Sequence, residues 1–246
     1  MLGFSSFFDA HFHLFSPKFG ENQVNLPQNG RVCCSGISCA VSKQDFMNQE
    51  KYLADHSLEK TLKLSFGIHP WYLNLEDADF LEELLKSGRI AAAGEAGFDF
   101  YTQELKERAE QQEKAWDIQL SLAEQYGFPL VIHCRKALPR ILADSGRLRR
   151  IPAVLFHGFS GSREQMEETL RKIPGAFFGF GSLVLKESGR AVECLRDVPG
   201  ENFLLETDEA GSDLLGEIYR RAGEIRRTEV ENIIESVNSN CKVFKL

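Results

Sequence analysis

The sequence predicts an α/β fold, a single TIM-type (β/α)8 barrel across residues 1–246, and three observations point to it. Short apolar, β-branched or aromatic runs recur eight times, each followed by a polar stretch with helical spacing, the pattern of βα units on a parallel sheet. A length of 246 residues suits one barrel at least as well as two small domains. Five of the six histidines, His11, His13, His69, His133 and His157, close apolar runs, where a barrel gathers its reactive groups.

Taken in order, the run Phe4 to Asp9 leads into His11 and His13. The stretch Phe15 to Gly30, with Pro17, Gly20, Pro27 and Gly30, reads as a loop on the active face. Within the second run, Arg31 to Ala40, the part from Cys33 carries no charged side chain, so packing alone is expected of it. A helix over Lys43 to Glu59 precedes the third run, Leu62 to Gly67, and a helix over Asp77 to Lys86 precedes the fourth, Ile90 to Glu95. The clearest helix spans Glu104 to Tyr126. There Leu105, Ala109, Gln112, Trp116, Leu120 and Ala123 step at threes and fours along one face, and Gly127 and Pro129 stop it. Phe128 to His133 and Ala153 to His157 are the fifth and sixth runs, with a helix over Ala137 to Ser145 between them. Helices over Arg163 to Lys172 and Lys186 to Leu195 flank the seventh run, Ala176 to Gly181. The eighth, Asn202 to Glu206, is followed by a helix over Leu214 to Glu235.

A composition of 43% hydrophobic and 26% charged residues is that of a globular domain. No apolar stretch approaches the roughly 20 residues of a membrane span, and the opening MLGFSSFFDAHFHLF lacks the basic start of a signal peptide. A cytoplasmic monomer with no membrane association and no obligate protein partner is therefore expected. Cysteines 33, 34, 39, 134, 194 and 241 form no CxxC pair and read as reduced, mostly buried small hydrophobes. A net charge of −7 excludes broad coating of nucleic acid but leaves room for a local phosphate site.

Parallel strands all point one way, so residues at their C-terminal ends converge on one mouth. His11 and His13 are two apart and face the same side. Glu95 lies in GEAGFD, His133 in VIHCR, His157 in FHGFSG and Asp208 in LLETD, whereas buried strands otherwise favour Val, Ile and Leu. Four histidines and two carboxylates are the inventory for two divalent ions with one carboxylate bridging.

With these motifs the chain resembles the TatD family of metal-dependent hydrolases over nearly its whole length. The matching segments are DAHFHL (Asp9 to Leu14), GIHP (Gly67 to Pro70), GEAGFD (Gly94 to Asp99), QEKAWDIQLSLA (Gln112 to Ala123), PLVIHCRKA (Pro129 to Ala137), HGFSGS (His157 to Ser162) and ETD (Glu206 to Asp208). The resemblance implies a barrel of the metal-dependent hydrolase type acting as a deoxyribonuclease on DNA or an oligonucleotide, often from a 3′ end. It implies that His11, His13 and Asp208 hold one ion, His133 and His157 the other, and that Glu95 bridges. His69 and Arg135 would lie beside the substrate phosphate. Glu95 and Asp208 would be catalytic in a two-metal mechanism with metal-bound hydroxide as nucleophile. Two ions about 4 Å apart polarise a phosphoryl oxygen, lower the pKa of water and stabilise the leaving oxygen. Asp208 would accept that water's proton. The ligand set leaves Mg, Mn and Zn open.

The chain departs from the family pattern at three places. ETDEAGSD stands where ETDAP is usual, Lys136 follows HCR in place of a common Asp, and Gly158 replaces the cysteine of HCFSG. Two alternatives follow: an amidohydrolase-like barrel cleaving a small ester, lactone or amide, and a metal- or partner-binding barrel without activity. Many binuclear barrels of the first kind use a carbamylated lysine on strand four, where this chain has Glu95.

His69 has a second reading, closing its strand against Trp71. Asp99 reads as a hydrogen-bond partner or loop cap, and His56 as a solvated helix residue. Arg147, Arg149 and Arg150 precede the sixth run, which puts them on a solvated turn opposite the metals. Arg135, Lys136, Arg163 and Lys186 follow strand ends and would make the mouth positive. Phe12, Phe98, Phe100, Tyr101 and Phe159 are candidates to stack a base.

Overall fold

A computed structural model describes residues 7–15 and 34–244. The start of the first expected run, most of the expected loop and residues 31–33 lie outside them. Each of the eight runs holds a strand: β1 (Phe7–Phe12), β2 (Cys34–Ala40), β3 (Leu62–Phe66), β4 (Ala92–Asp99), β5 (Leu130–Arg135), β6 (Val154–Phe156), β7 (Ala176–Phe180) and β8 (Phe203–Leu205). They pair in parallel, in sequence order. A bridge between Phe12 and Asp208 brings the last strand back to the first. The barrel is nearly closed, with helices between the strands.

Strands covered on both faces must be apolar almost throughout, and β4 and β7 are buried at every residue. Phe8, Phe66, Phe98, Phe156, Phe178 and Phe203 are among the fully buried large side chains.

The helices are α1 (Lys43–Asp55), α2 (Ala78–Ser87), α3 (Gln103–Glu107), α4 (Ala109–Tyr126), α5 (Leu138–Ala143), α6 (Ser145–Leu148), α7 (Arg163–Lys172), α8 (Arg190–Asp197), α9 (Leu215–Arg226) and α10 (Val230–Asn240). Local chemistry sets their ends. Ser42 caps α1 and a Ser162/Gln165 capping box opens α7, while left-handed Gly88 and Gly127 end α2 and α4.

Two expected long helices are broken. The helix over Glu104 to Tyr126 divides at Arg108, because Arg108 N–H and the Gln112 side chain both take the Leu105 carbonyl. The helix over Leu214 to Glu235 divides at Arg227, whose φ of 54° is left-handed.

Three shifts of strand bounds matter for function. β5 runs on to Arg135, so His133 lies inside it rather than at the expected end. β1 extends to Phe12, so His11 lies within it. β4 continues to Asp99, so Glu95 sits in mid-strand rather than at the expected end. The pairing of β4 with β5 slips between Ala93 and Ala96, a bulge that re-aims a side chain. Gly94 makes it possible: at φ 123° a Cβ there would lie 2.3 Å from the Val131 carbonyl oxygen. Among the described residues no helix is long and apolar enough to cross a membrane.

Candidate active site

The seam where β8 meets β1 assembles the first half of the site. Asp9, buried in β1, accepts hydrogen bonds from the Thr207 amide at 3.0 Å, the Thr207 hydroxyl at 2.6 Å and the His11 amide at 3.3 Å. The Asp208 amide donates to the His11 carbonyl at 2.9 Å. These bonds fix Asp208 beside the imidazoles of His11 in β1 and His13 just past its end.

His13 Nδ1 lies 3.0 Å from the Cys39 carbonyl. A carbonyl only accepts, so Nδ1 carries the proton and Nε2 faces Glu95 Oε1 at 3.4 Å and Asp208 Oδ1 at 3.5 Å. β2 therefore does more than pack, correcting the sequence expectation. It orients a histidine through its backbone, and buried Cys39 lies within one donor group with His11 and Glu95.

Glu95 is 3% exposed, and its two oxygens face different partners. Oε1 is 3.6 Å from His11 Nε2 and 3.4 Å from His13 Nε2; Oε2 is 3.5 Å from His69 Nε2, 3.3 Å from His133 Nδ1 and 2.7 Å from His157 Nε2. Burial alone would raise this carboxyl, but His157, His69 and His11 outweigh it and hold it well below the usual range.

Burial, reinforced by His157, pushes His11 down to about 3. Burial also works against the charged forms of His13 and His157, yet the carboxylates lift them to about 9 and about 10. Protons thus occupy nitrogen lone pairs for which divalent cations compete.

The His133 ring is held from behind. Its Nε2 donates to Asp99 Oδ2 at 3.1 Å, which also accepts from Trp71 Nε1 at 2.8 Å, leaving Nδ1 turned to Glu95. Asp99 is thus the hydrogen-bond partner the sequence suggested. His69 has the opposite polarity. Its Nδ1 accepts from the Trp71 amide at 3.1 Å, so its neutral ring carries the proton on Nε2. Burial lowers the pKa of His69, in keeping with neutrality.

Sequence reasoning assigned no role to four other buried groups. Gln112 Oε1 accepts from the Asp99 amide, and Gln119 clamps Ile68 through both its amide and its carbonyl. Their signal is two glutamines seven apart on the buried face of α4. Asp9 is the third. The fourth, Glu206, is fully buried: Oε1 accepts from the Gly158 amide at 2.6 Å, and Oε2 has no hydrogen-bond partner. Burial pushes its carboxyl up to about 8. A Cβ at Gly179 would stand 1.9 Å from Glu206 Oε2, so a larger residue there would force the carboxyl to move.

The six ligand candidates of the sequence, His11, His13, Glu95, His133, His157 and Asp208, meet within one network of contacts, with His69 touching it. His13, His69, Glu95, His133, His157 and Asp208 line a cavity of about 340 Å³ at the barrel mouth. Arg135 lies on its rim, its side chain 45% exposed.

Exposed Trp71 and Tyr72 border this cavity, whereas Phe12, Phe98 and Phe159 are buried and do not line it. Phe98 packs against Trp116, and Phe159 against Phe178. Arg163 does not serve the mouth as expected, because Glu167 and Asp197 pair with it. Arg147 and Arg150 pair with Glu124, and exposed His56 stacks on Tyr52.

The family model described as TatD related DNase matches residues 8–243. A 3′-5′ ssDNA/RNA exonuclease TatD from Edwardsiella piscicida is 37% identical over 150 residues, covering 58% of this chain and 55% of that protein. The match thus spans about half of that relative's length. An uncharacterized metal-dependent hydrolase, YjjV of Escherichia coli K12, is 24% identical over 95% of both chains. The crystal structure of that TatD homologue superposes with a TM-score of 0.82 at 22% identity, covering 98% of each chain. A TatD family hydrolase from Entamoeba histolytica gives 0.77 at 17% identity and 97% coverage of each. These two structures share the barrel fold.

Proposed function

The chain belongs to the TatD-related DNase family, and from that premise we propose a metal-dependent hydrolase that cleaves phosphodiester bonds in single-stranded DNA or oligonucleotides. Glu95 carries the reading: one oxygen turns to His11 and His13, the other to His133 and His157. Donor atoms about 2.0–2.2 Å from one ion lie roughly 3–3.5 Å from each other. Apart from His157, hydrogen-bonded to Oε2 at 2.7 Å, the imidazole nitrogens around the two oxygens lie at 3.3 to 3.6 Å, and Asp208 Oδ1 lies 3.7 Å from His11 and 3.5 Å from His13. His11 Nε2 and Glu95 Oε1 are buried without a hydrogen-bond partner, and a cation would coordinate their lone pairs.

In this reading His11, His13 and Asp208 would hold one divalent ion and His133 and His157 the other, with Glu95 offering an oxygen to each group. Such ions, when bound, supply the Lewis acidity that polarises a phosphoryl oxygen and eases deprotonation of water near neutral pH. Asp208, its side chain 41% exposed, takes the proton of the attacking water. The water oxygen joins phosphorus as the bond to the leaving nucleoside oxygen breaks. His69 presents its Nε2–H to a non-bridging phosphate oxygen, and the Arg135 guanidinium meets the same phosphate from the rim. Trp71 and Tyr72 offer rings to the bases. One barrel domain over residues 1–246, monomeric and cytoplasmic, belongs to the same proposal.

The test offers the protein, loaded with Mg²⁺, Mn²⁺ or Zn²⁺, a single-stranded oligonucleotide beside p-nitrophenyl esters and lactones. Oligonucleotide cleavage that disappears in Glu95→Gln and His133→Ala supports the reading. Cleavage of esters or lactones alone moves the protein to small-molecule hydrolysis, and cleavage of nothing by metal-loaded protein removes the enzyme.

A further inference from the structure

A second cavity, of about 500 Å³, adjoins the mouth and shares Cys134, Arg135, His157 and Ser160 with the first. Its lining includes Arg135, Lys136 and Arg190 and contains no Asp or Glu, in a chain of net charge −7. Tyr101 gathers two of these cations: the Arg135 guanidinium lies 4.3 Å and the Lys136 ammonium 4.6 Å from its ring centroid.

Their charges are not cancelled. Among the described residues neither Lys136 nor Arg190 makes an ion pair. Arg135 reaches only Asp99 Oδ2, at 3.7 Å, an oxygen already holding His133 and Trp71. Glu164 feels Arg190, but it is exposed and bonded to the Ser162 hydroxyl. Arg140, Arg147 and Arg163, by contrast, each pair with two acids. Lys136 also holds a left-handed φ of 54°, which costs a non-glycine residue energy. Buried Leu138 and Phe159 add an apolar wall.

We propose that this cavity is a phosphate subsite for the nucleotide next to the scissile bond, so that the strand is held at two successive phosphodiesters. The proposal rests on the phosphodiesterase reading above. Three cations suit a phosphodiester anion, and the apolar wall suits its sugar. Because Arg135 borders both cavities, the second phosphate belongs to the same strand as the first.

The variant that tests it is Lys136→Asn with Arg190→Gln, since Asn tolerates the left-handed backbone. Binding is read by fluorescence anisotropy with a labelled phosphorothioate tetranucleotide. Turnover is read on a tetranucleotide and on bis(p-nitrophenyl) phosphate, a diester with no neighbouring phosphate. The tetranucleotide Kd should rise about tenfold, and the dependence of log Kd on log salt should flatten by roughly 1.4, two single-strand contacts. The ratio of kcat/KM for tetranucleotide over small diester should fall about tenfold, while Arg190→Lys keeps the wild-type ratio. An unchanged Kd and ratio overturn the subsite. Wild-type protein that cleaves neither substrate, with affinity still lost in the double variant, keeps the subsite and overturns the hydrolase reading. No cleavage and no change in Kd overturn both.

Discussion

Replacing Asp99 by Asn removes a negative charge from behind His133 while keeping the side chain's shape. The carboxylate accepts three hydrogen bonds: His133 Nε2 at 3.1 Å and Trp71 Nε1 at 2.8 Å on Oδ2, and the Tyr101 amide at 2.8 Å on Oδ1. An amide has one accepting oxygen and one donating nitrogen, so at least one of these donors must face an N–H. Leaving a buried donor unpaired costs about 1–3 kcal/mol. Neutral acceptance by the remaining oxygen roughly halves the bonds that survive. The sum is on the order of 2–4 kcal/mol of stability. Loss of the partner that orients a metal-ligating imidazole should weaken metal affinity about 10- to 100-fold. Urea unfolding of chelated protein reads the first quantity, and Mn²⁺ titration reads the second. An Asp99→Asn protein with wild-type unfolding and wild-type metal affinity would refute the reasoning.

Gly179→Ala should destabilise the fold by about 1–3 kcal/mol in denaturant unfolding, because its Cβ would displace the buried Glu206 carboxyl. Thr207→Val deletes the 2.6 Å hydroxyl donor to Asp9 at equal size and should cost about 1–3 kcal/mol, read the same way. Divalent ions at 100 times their Kd should add about 2.7 kcal/mol per site, seen as a rise in Tm that EDTA reverses and His11→Ala reduces. Burial works to raise Asp144, but hydrogen bonds from Trp116 and Arg140 hold it below the carboxylate range. Its stabilisation is present above the ordinary value near ~4 and lost as pH falls through the lower folded value. Asp144→Asn should therefore flatten the acid limb of Tm against pH.

The strand-end histidines were legible because a parallel barrel gives all its strands one polarity, so sequence position along each run becomes height above the mouth. His13, His157 and Asp208 lie just past the ends of β1, β6 and β8, whereas His11 and His133 lie near the ends but inside β1 and β5. Glu95 reached the same place by another route, through a bulge at Gly94 whose geometry no hydrophobic pattern encodes. The Cys39 carbonyl that orients His13 leaves no mark in the sequence, since every residue has one. Asp9 stands out as an acid in an apolar run, but its partner Thr207 lies 198 residues away and only the closed barrel joins them. Arg163 looked like a mouth cation for the same reason in reverse, because pairing with Asp197 depends on how α7 and α8 lie together. Phe12, Phe98 and Phe159 were offered for stacking and are core, whereas Trp71 and Tyr72 at the rim passed unremarked for that role.

The central claim is a pair of cations divided by one carboxylate, and anomalous diffraction from Mn²⁺-loaded crystals tests it most directly. The account requires two peaks about 4 Å apart, one beside His11, His13 and Asp208, the other beside His133 and His157, with Glu95 between them. No peak within this cluster, or a single peak that Glu95→Gln leaves in place, would contradict it.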